Sequence, residues 1–140
     1  MERLFVDTSA WFAFANRADP EHEEVRRLLR QFDGRLVTSN FVFDELVTLC
    51  QARAGHALAG RVGAVLLDPE VVDLVRLTPV DEQRAWALFL ARPEQGYSFT
   101  DCSSFVLLRR LALTRVAALD EDFAREGFSL EPQRTPRRGR

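Results

Sequence analysis

Four carboxylates of this 140-residue chain occupy positions where an unpaired acid is costly. Each lies at the end of a predicted strand or on the apolar face of a predicted helix, with no basic residue beside it. They are Asp7, Glu45, Asp101 and Asp120. Clustered carboxylates repel one another and burial increases that cost, so either each has its own Arg partner or a hard divalent cation neutralises them together. Oxygen ligands from Asp and Glu suit Mg²⁺ or Mn²⁺.

Two of these acids follow apolar runs. Asp7 follows Leu4-Phe5-Val6, and Asp120 follows the run RVAAL at 115–119. Such runs are typical of strands in a parallel sheet, where ligands bind at the carboxyl ends of the strands. Acids at the ends of two such strands lie on the same edge of the sheet, and they converge if the strands are neighbours.

Glu45 is predicted to lie on a helix. It is four residues from both Phe41 and Leu49 and therefore shares an apolar stripe with them. The adjacent Asp44 lies on a polar stripe and is predicted to be solvated. Glu45 is thus on the wrong face for an ordinary surface acid.

Asp101 begins another predicted helix. The apolar positions Phe105, Leu108 and Ala112 follow it on the same stripe. Backbone dipoles at a helix start favour a negative charge. A purely structural role is the alternative, because Ser98 and Asp101 have the spacing of a capping box.

The composition excludes several other chemistries. All 19 residues counted as Lys or Arg are Arg, so a Walker A loop, a Schiff-base enzyme and a phospho-receiver domain, each of which needs Lys, are excluded. The chain has no G-x-S-x-G turn for a Ser-His-Asp hydrolase. His22 and His56 are predicted to be surface residues, which argues against a His-dependent ribonuclease. A phosphatase of the haloacid dehalogenase type needs an Asp two residues after Asp7, where this chain has Ser9.

Length and composition predict one globular domain. Hydrophobic residues make up 46% of the chain and the net charge is −2. Cys50 and Cys102 lack metal-site spacing and are predicted to be free, buried thiols. We expect the domain to span 1–131, followed over 132–140 by a basic, poorly ordered tail, with an RNA-contacting arm as the alternative. With no signal-peptide layout and no membrane span, a cytoplasmic location is expected.

Strands and helices alternate along the chain. Strands are predicted over 2–6, 35–38, 71–77, 115–119 and 128–130. Helices are predicted over 8–16, from Asp19-Pro20 to about 32, and over 40–54, 56–67, 80–91 and 99–113. This alternation predicts an α/β fold, a three-layer α/β/α sandwich with a central, mostly parallel sheet.

Four sequence blocks carry a resemblance to a known family. They are FVDTSAW (5–11), SNFVFDEL (39–46), SFTDCSSF (98–105) and ALDEDF (118–123). In order, spacing and total length they resemble the PIN-domain family and, within it, the VapC-type toxins of bacterial toxin–antitoxin pairs. The resemblance runs from the first strand to about Leu130.

The resemblance implies a PIN-like α/β/α fold and an acidic active site that binds Mg²⁺ or Mn²⁺. Its catalytic and metal-binding acids would be Asp7, Glu45, Asp101 and Asp120. Asp122 is an additional candidate, because ALDEDF offers a second acid. Thr8 or Ser9 resembles the family's hydroxyl beside the first acid, and Thr100 is a weaker candidate of that kind.

The resemblance also implies an activity and partners. VapC members are endoribonucleases that usually form homodimers and are held inactive by a small antitoxin. The expected reaction is attack by metal-activated water on a phosphate of single-stranded RNA, which leaves a 5′-phosphate and a 3′-hydroxyl. A catalytically inactive PIN-like domain that binds RNA or serves as a scaffold is the alternative.

Substrate binding must come from arginines and aromatic residues. The candidate phosphate contacts are Arg17, Arg53, Arg109 and Arg110. The apolar helix with Trp11, Phe12 and Phe14 is expected to pack in the core, with a dimer or antitoxin surface as the alternative.

Overall fold

The computed structural model describes residues 1–133, so 134–140 of the predicted tail lie outside the described residues. The strands of the described part are β1 (Arg3–Val6), β2 (Arg35–Ser39), β3 (Val72–Val75), β4 (Arg115–Ala117) and β5 (Ser129–Glu131). The helices there are α1 (Thr8–Ala15), α2 (His22–Gln31), α3 (Asn40–Ala54), α4 (His56–Leu67), α5 (Pro79–Ala91), α6 (Phe99–Arg110) and α7 (Asp122–Arg125), with a short 3₁₀ turn at Pro93–Gln95. Among residues 1–133, no helix is both long and apolar enough to cross a bilayer.

The five strands form one sheet in the order β3-β2-β1-β4-β5, and every pairing is parallel. The chain moves from β1 through β2 to β3, then crosses back to β4 and β5, so its direction reverses between β1 and β4. Right-handed crossovers in opposite directions place helices on both faces of the sheet. The predicted three-layer α/β/α sandwich is therefore confirmed, and its switch point lies between β1 and β4.

The core is built around the central strand and the helix that follows it. Leu4, Phe5 and Val6 of β1 are fully buried, and Trp11 of α1 is 1% exposed. The Trp11 indole N–H donates to the Thr38 hydroxyl over 3.2 Å, so the ring's polar atom is satisfied inside the core. Trp11 is therefore in the core, as predicted, and its hydrogen bond to Thr38 ties α1 to β2.

The second helix differs from its prediction in two ways. It begins at His22, not at Asp19-Pro20, because the Asp19 carboxylate accepts a hydrogen bond from the Glu21 N–H and closes a separate turn before the helix. The prediction that His22 lies on the surface is also wrong. Its side chain is only 12% exposed, and Nδ1 lies 2.8 Å from the Ala13 carbonyl oxygen, since α2 packs against α1. His56 is exposed, as predicted.

Both cysteines are buried free thiols, as predicted. The strand predicted over 71–77 is shorter and forms only over Val72–Val75, because Leu77 donates its backbone N–H to the Asn40 side chain instead of continuing the sheet. The last strand lies one residue later than predicted, over Ser129–Glu131.

Candidate active site

Asp7 lies at the point where β1 becomes α1. Its backbone N–H donates to the Ala117 carbonyl over 2.9 Å, which joins the end of β1 to the end of β4. Its side chain caps α1, because Oδ2 accepts hydrogen bonds from the Ser9 N–H at 3.3 Å and the Ser9 hydroxyl at 2.9 Å. The residue is 3% exposed, and Oδ1 is buried without a hydrogen-bond partner.

Ser9 connects this carboxylate to the neighbouring strand end. Its hydroxyl donates to Asp7 and accepts from the Leu119 N–H over 3.0 Å. Ser9 therefore orients the first acid and holds the segment that leads to Asp120. The Thr8 hydroxyl is buried with no partner in the described structure, and it remains available to a group bound at this edge.

Asp120 lies three residues beyond β4. Its Oδ1 accepts the Asp122 N–H over 3.0 Å, a short turn that starts α7. The Asp122 carboxylate in turn accepts a 2.7 Å hydrogen bond from Arg125 in an ion pair. Asp122 is therefore close to the site but already neutralised by a cation.

Asp101 also has the structural role that its spacing from Ser98 predicted, because the two residues form a capping box. Ser98 N–H donates to Asp101 Oδ2, and Asp101 N–H donates to Ser98 Oγ, both over 3.0 Å. This capping box fixes the carboxylate at the start of α6. Only Oδ2 is used by the cap, so Oδ1 can still serve another role.

Mutual repulsion shows that three of the acids share one electrostatic site. Burial raises the pKa of Asp7 to about 7, and the charges of Asp120 and Asp101 add to the rise, while hydrogen bonds from Ser9 oppose it. Burial likewise raises the pKa of Asp101 to about 6, with a further contribution from Asp120. The pKa of Asp120 is raised by burial too. Asp7, Asp101 and Asp120 are named the acid cluster below.

Glu45 lies on the packed side of α3, the helix whose first turn contacts the first turn of α6. It is partly buried on α3, whereas Asp44 is exposed, as the stripe assignment predicted. One turn earlier, the Phe41 ring packs against Phe99 at the start of α6, with 6.0 Å between centroids. This contact joins the starts of the two helices that carry Glu45 and Asp101.

The residues of the acid cluster fit a divalent cation. Within residues 1–133, no salt bridge compensates Asp7, Glu45, Asp101 or Asp120. No three His, Cys, Asp or Glu side chains of that part stand in a finished metal-binding arrangement. The orphaned Asp7 Oδ1 and the all-carboxylate donor set are nevertheless what a hard cation requires. The alternative that each of these acids has its own Arg partner is therefore not found among the described residues.

The arginines are distributed differently from the sequence hypothesis. Arg109 pairs with Glu126, and Arg110 pairs with Asp81, so both already have carboxylate partners. Arg125 was missed, although its ion pair with Asp122 places it close enough to Asp120 to oppose the rise of that pKa. Its three-residue spacing from Asp122 was the available signal.

Two more of the arginine candidates lie by the first helices. The Arg53 guanidinium lies 6.0 Å from the Phe12 ring centroid. Arg17 lines a groove with Phe14 and His22. Neither contact relates them to the acid cluster.

A model of the PIN domain matches residues 4–128. The chain belongs to the PIN-domain family. It is 36% identical over 125 residues to a protein of two Mycobacterium tuberculosis strains named "23S rRNA-specific endonuclease VapC20", with 89% of this chain and 95% of the relative covered.

Solved PIN structures agree with this membership. The crystal structure of M. tuberculosis VapC20, described as a sarcin–ricin loop cleaving toxin, superposes with a TM-score of 0.86 at 35% identity, covering 90% of this chain and 96% of that one. The Rickettsia felis VapBC2 complex with promoter DNA matches with a TM-score of 0.66 at 12% identity, covering 93% and 98%. The second likeness shows the fold alone. The family resemblance and the fold predicted from the sequence are confirmed.

Proposed function

We propose that this chain is a divalent-metal-dependent endoribonuclease and the toxin of a toxin–antitoxin pair. The observation that carries the proposal is Asp7, a 3% exposed carboxylate whose pKa burial and two neighbouring acids raise to about 7. A folded protein retains such an uncompensated cluster at the switch point of its sheet when a bound group repays the cost. The 36% identical relative with an endonuclease name agrees with this function.

Asp7, Asp101, Asp120 and Glu45 would hold Mg²⁺ or Mn²⁺. A cation bound there would supply activation of a water for attack on phosphorus and stabilisation of the leaving oxygen. Ser9 keeps the Asp7 carboxylate in place through two hydrogen bonds, and the Ser98 box does the same for Asp101. Thr8, with its free buried hydroxyl, can donate to a group bound beside Asp7. Asp122 stays with Arg125 and supports the site from outside.

Ribosomal RNA is the first substrate to test, because the relative is named for cleavage of 23S rRNA. A sarcin–ricin hairpin and a scrambled hairpin are incubated with the protein in Mg²⁺, in Mn²⁺ or in EDTA. We expect cleavage of the hairpin only with metal, and a 5′-phosphate and 3′-hydroxyl at the cut. Binding without cleavage in either metal would instead support the alternative of an inactive RNA-binding or scaffold domain.

Adjacent acids on α3 provide a matched pair for this test. Glu45→Gln is expected to lower cleavage at least roughly 10-fold, the smaller effect of disturbing a metal site, whereas exposed Asp44→Asn leaves it unchanged. Equal losses in the two variants would remove Glu45 from the proposed site.

The partners and the domain limits are parts of the same proposal. A small antitoxin encoded beside this chain should relieve growth arrest when both are expressed, and a homodimer should appear in light scattering. A chain ending at residue 131 should keep full cleavage activity if the tail is dispensable. Since ribosomes are the proposed target, the site of action is the cytoplasm.

A further inference from the structure

One buried carboxylate, Glu126 at the end of α7, accepts hydrogen bonds from three side chains. Its Oε2 accepts from the Tyr97 hydroxyl at 3.0 Å and from the Arg92 guanidinium at 3.4 Å, and its Oε1 accepts from the Arg109 guanidinium at 3.0 Å. The Glu126 side chain is 7% exposed. Burial alone would raise the pKa of Glu126, but hydrogen bonds from Arg109 and Tyr97 outweigh burial and lower it, so the carboxylate stays charged. We name these four residues the Glu126 cluster.

One side of the Glu126 cluster leads to Asp101. Tyr97 is buried and immediately precedes Ser98, whose two 3.0 Å hydrogen bonds with Asp101 form the capping box of α6. The Tyr97 ring packs edge-on against Phe105, which lies one helical turn beyond Asp101, with 5.0 Å between the ring centroids. The Tyr97 hydroxyl therefore ties the start of α6 to Glu126.

The other side of the Glu126 cluster leads to Asp120. The Glu126 N–H donates to the Asp122 carbonyl at 3.3 Å, and the Asp122 N–H donates to Asp120 Oδ1 at 3.0 Å. In the same turn, the Phe123 ring is fully buried, with its centroid 5.0 Å from that of Phe105. A displacement of Glu126 is thus passed through two hydrogen bonds to the Asp120 carboxylate.

The two segments that the Tyr97–Glu126 hydrogen bond joins carry carboxylates that repel each other. Burial, and then the charge of Asp120, raises the pKa of Asp101. This repulsion pushes the start of α6 away from the turn that follows β4, unless a cation or a fixed link opposes it. A hydrogen bond from a buried hydroxyl to a charged carboxylate is one of the stronger links that side chains can form.

We propose that Tyr97 and Glu126 are positioning residues whose hydrogen bond holds Asp101 and Asp120 at the separation at which both can bind one divalent cation. The inference rests on the proposed ribonuclease function. It adds two residues to that function that themselves touch neither the metal nor the RNA.

The most direct variant removes one hydroxyl. Tyr97→Phe keeps the ring against Phe105 and loses only the hydrogen bond to Glu126. We expect the Kd for Mn²⁺ to rise roughly 10-fold, the lower end of the 10- to 100-fold effect of groups that support metal ligands. At saturating Mn²⁺, kcat for RNA should fall while KM for the RNA stays unchanged, because the metal site and not the RNA-binding surface is altered.

Asp81 provides a matched control. Its side chain is 1% exposed, pairs with Arg110 and forms a capping box with Thr78, but that box starts α5 and carries none of the candidate acids. Asp81→Asn should lower stability in urea titrations and leave the Kd for Mn²⁺ unchanged. An equal rise of this Kd in Asp81→Asn and Tyr97→Phe would make the effect one of general destabilisation and overturn the positioning role.

Hydrogen exchange of the metal-free protein gives a readout that does not depend on cleavage or on metal. The Asp122 N–H, which donates to Asp120, is compared with the Phe105 N–H inside α6. Relative to that reference, exchange at Asp122 should become several-fold faster in Tyr97→Phe and stay the same in Asp81→Asn, because only the first variant loosens the turn after β4. Unchanged relative exchange in Tyr97→Phe would contradict the proposal.

Variants of Glu126 test whether both residues act through the same bond. Glu126→Gln keeps an oxygen that accepts from Tyr97 and should retain most of the Mn²⁺ affinity, whereas Glu126→Ala should lose at least as much as Tyr97→Phe. Adding Tyr97→Phe to Glu126→Ala should change the Kd no further. Losses that add up in the double variant would show that the two side chains act separately.

The outcomes separate this inference from the function on which it rests. If the wild-type chain neither binds Mn²⁺ nor cleaves RNA in any metal, the ribonuclease proposal fails and the positioning role fails with it. If the wild type binds Mn²⁺ and cleaves RNA while Tyr97→Phe keeps the same Kd and kcat, the positioning role is wrong and the ribonuclease stands.

Discussion

Strand β4 has a charged cluster at each end, and the two are built in opposite ways. At the start of β4, Arg115 donates hydrogen bonds to both carboxylate oxygens of Glu131, at 2.6 and 2.9 Å, and to the Glu2 carboxylate at 3.1 Å. The hydrogen bonds that Arg115 donates to these carboxylates raise the pKa of its guanidinium further above its usual range. We name Arg115, Glu2 and Glu131 the Arg115 cluster. It holds two acids against one cation.

Beyond the other end of β4, no basic residue of the described part forms an ion pair with the acid cluster, and the pKa values of its carboxyl groups are raised. The comparison teaches that this chain has the means to neutralise acids, since 19 arginines are available, and does not do so around Asp7. The Arg115 cluster is arranged for stability. The acid cluster costs stability and is therefore the region where function is expected.

The largest effect should come from removing the charge of the most buried acid. Asp7→Asn keeps the shape of the side chain, and we expect kcat/KM for RNA to fall by more than roughly 100-fold, since even groups that only support a metal ligand cost 10- to 100-fold. Circular dichroism should show an unchanged fold. Full activity in this variant would remove the acid cluster from the chemistry.

A bound divalent cation should neutralise the carboxylates of the acid cluster, as Arg115 already neutralises Glu2 and Glu131 at the other end of β4. Mg²⁺ or Mn²⁺ at about 100 times its Kd should stabilise the protein by about 2.7 kcal/mol, seen as a higher Tm. Asp7→Asn should lose most of this gain, because one ligand charge is gone, while Arg115→Met should keep all of it. A metal-induced rise in Tm that is the same in all three proteins would place the binding elsewhere.

The pH dependence of stability should have opposite signs for the two kinds of acid. Because the pKa of Asp7 is raised from 3.8 to about 7, the metal-free folded state binds more protons than the unfolded chain in that interval. The contribution of Asp7 to stability should therefore fall as the pH rises from about 4 to 7, by at most about 1.4 kcal/mol per pH unit for this one group. Asp101 should contribute in the same direction up to about pH 6.

Asp81 represents the paired acids of the molecule. Burial alone would raise its pKa, but hydrogen bonds from Arg110 and Thr78 outweigh burial and lower it. Its contribution is present above the unfolded pKa and is lost as the pH falls through the folded value. Metal-free protein should thus be most stable near pH 4 to 5 in urea titrations, and Asp7→Asn should flatten the decline above that. A wild-type stability that rises from pH 4 to 7 would contradict the raised pKa of Asp7.

The smallest effect should come from the Arg115 cluster. Arg115→Met removes two partly exposed ion pairs, with Glu131 and Glu2, and a guanidinium 5.1 Å from the Phe32 ring centroid. We expect a loss of about 1 kcal/mol in unfolding free energy and no change in cleavage. Arg61→Met, which removes no ion pair of the described part, is the control and should be neutral. A larger loss of activity than of stability in Arg115→Met would mean that the two ends of β4 are coupled.

The amino-acid sequence by itself determined the local parts of this protein. Period-two and apolar runs identified the strands, helical spacing put Glu45 on the inner face of α3, and the Ser98 spacing identified the cap that holds Asp101. These features depend on residues a few positions apart, so backbone geometry alone decides them. The parallel sheet followed as well, since strands joined by helices leave few other arrangements.

Only the tertiary structure decided which elements meet. The order β2-β1-β4 brings the end of β1 beside the end of β4, and so places Asp7 in the field of Asp120. The burial of His22 and the contact between Phe41 and Phe99 arise in the same way. Such contacts join residues far apart in the chain and depend on the packing of whole layers, which no local pattern encodes. The sequence therefore identified the candidate acids, and the fold brought three of them close enough to repel one another.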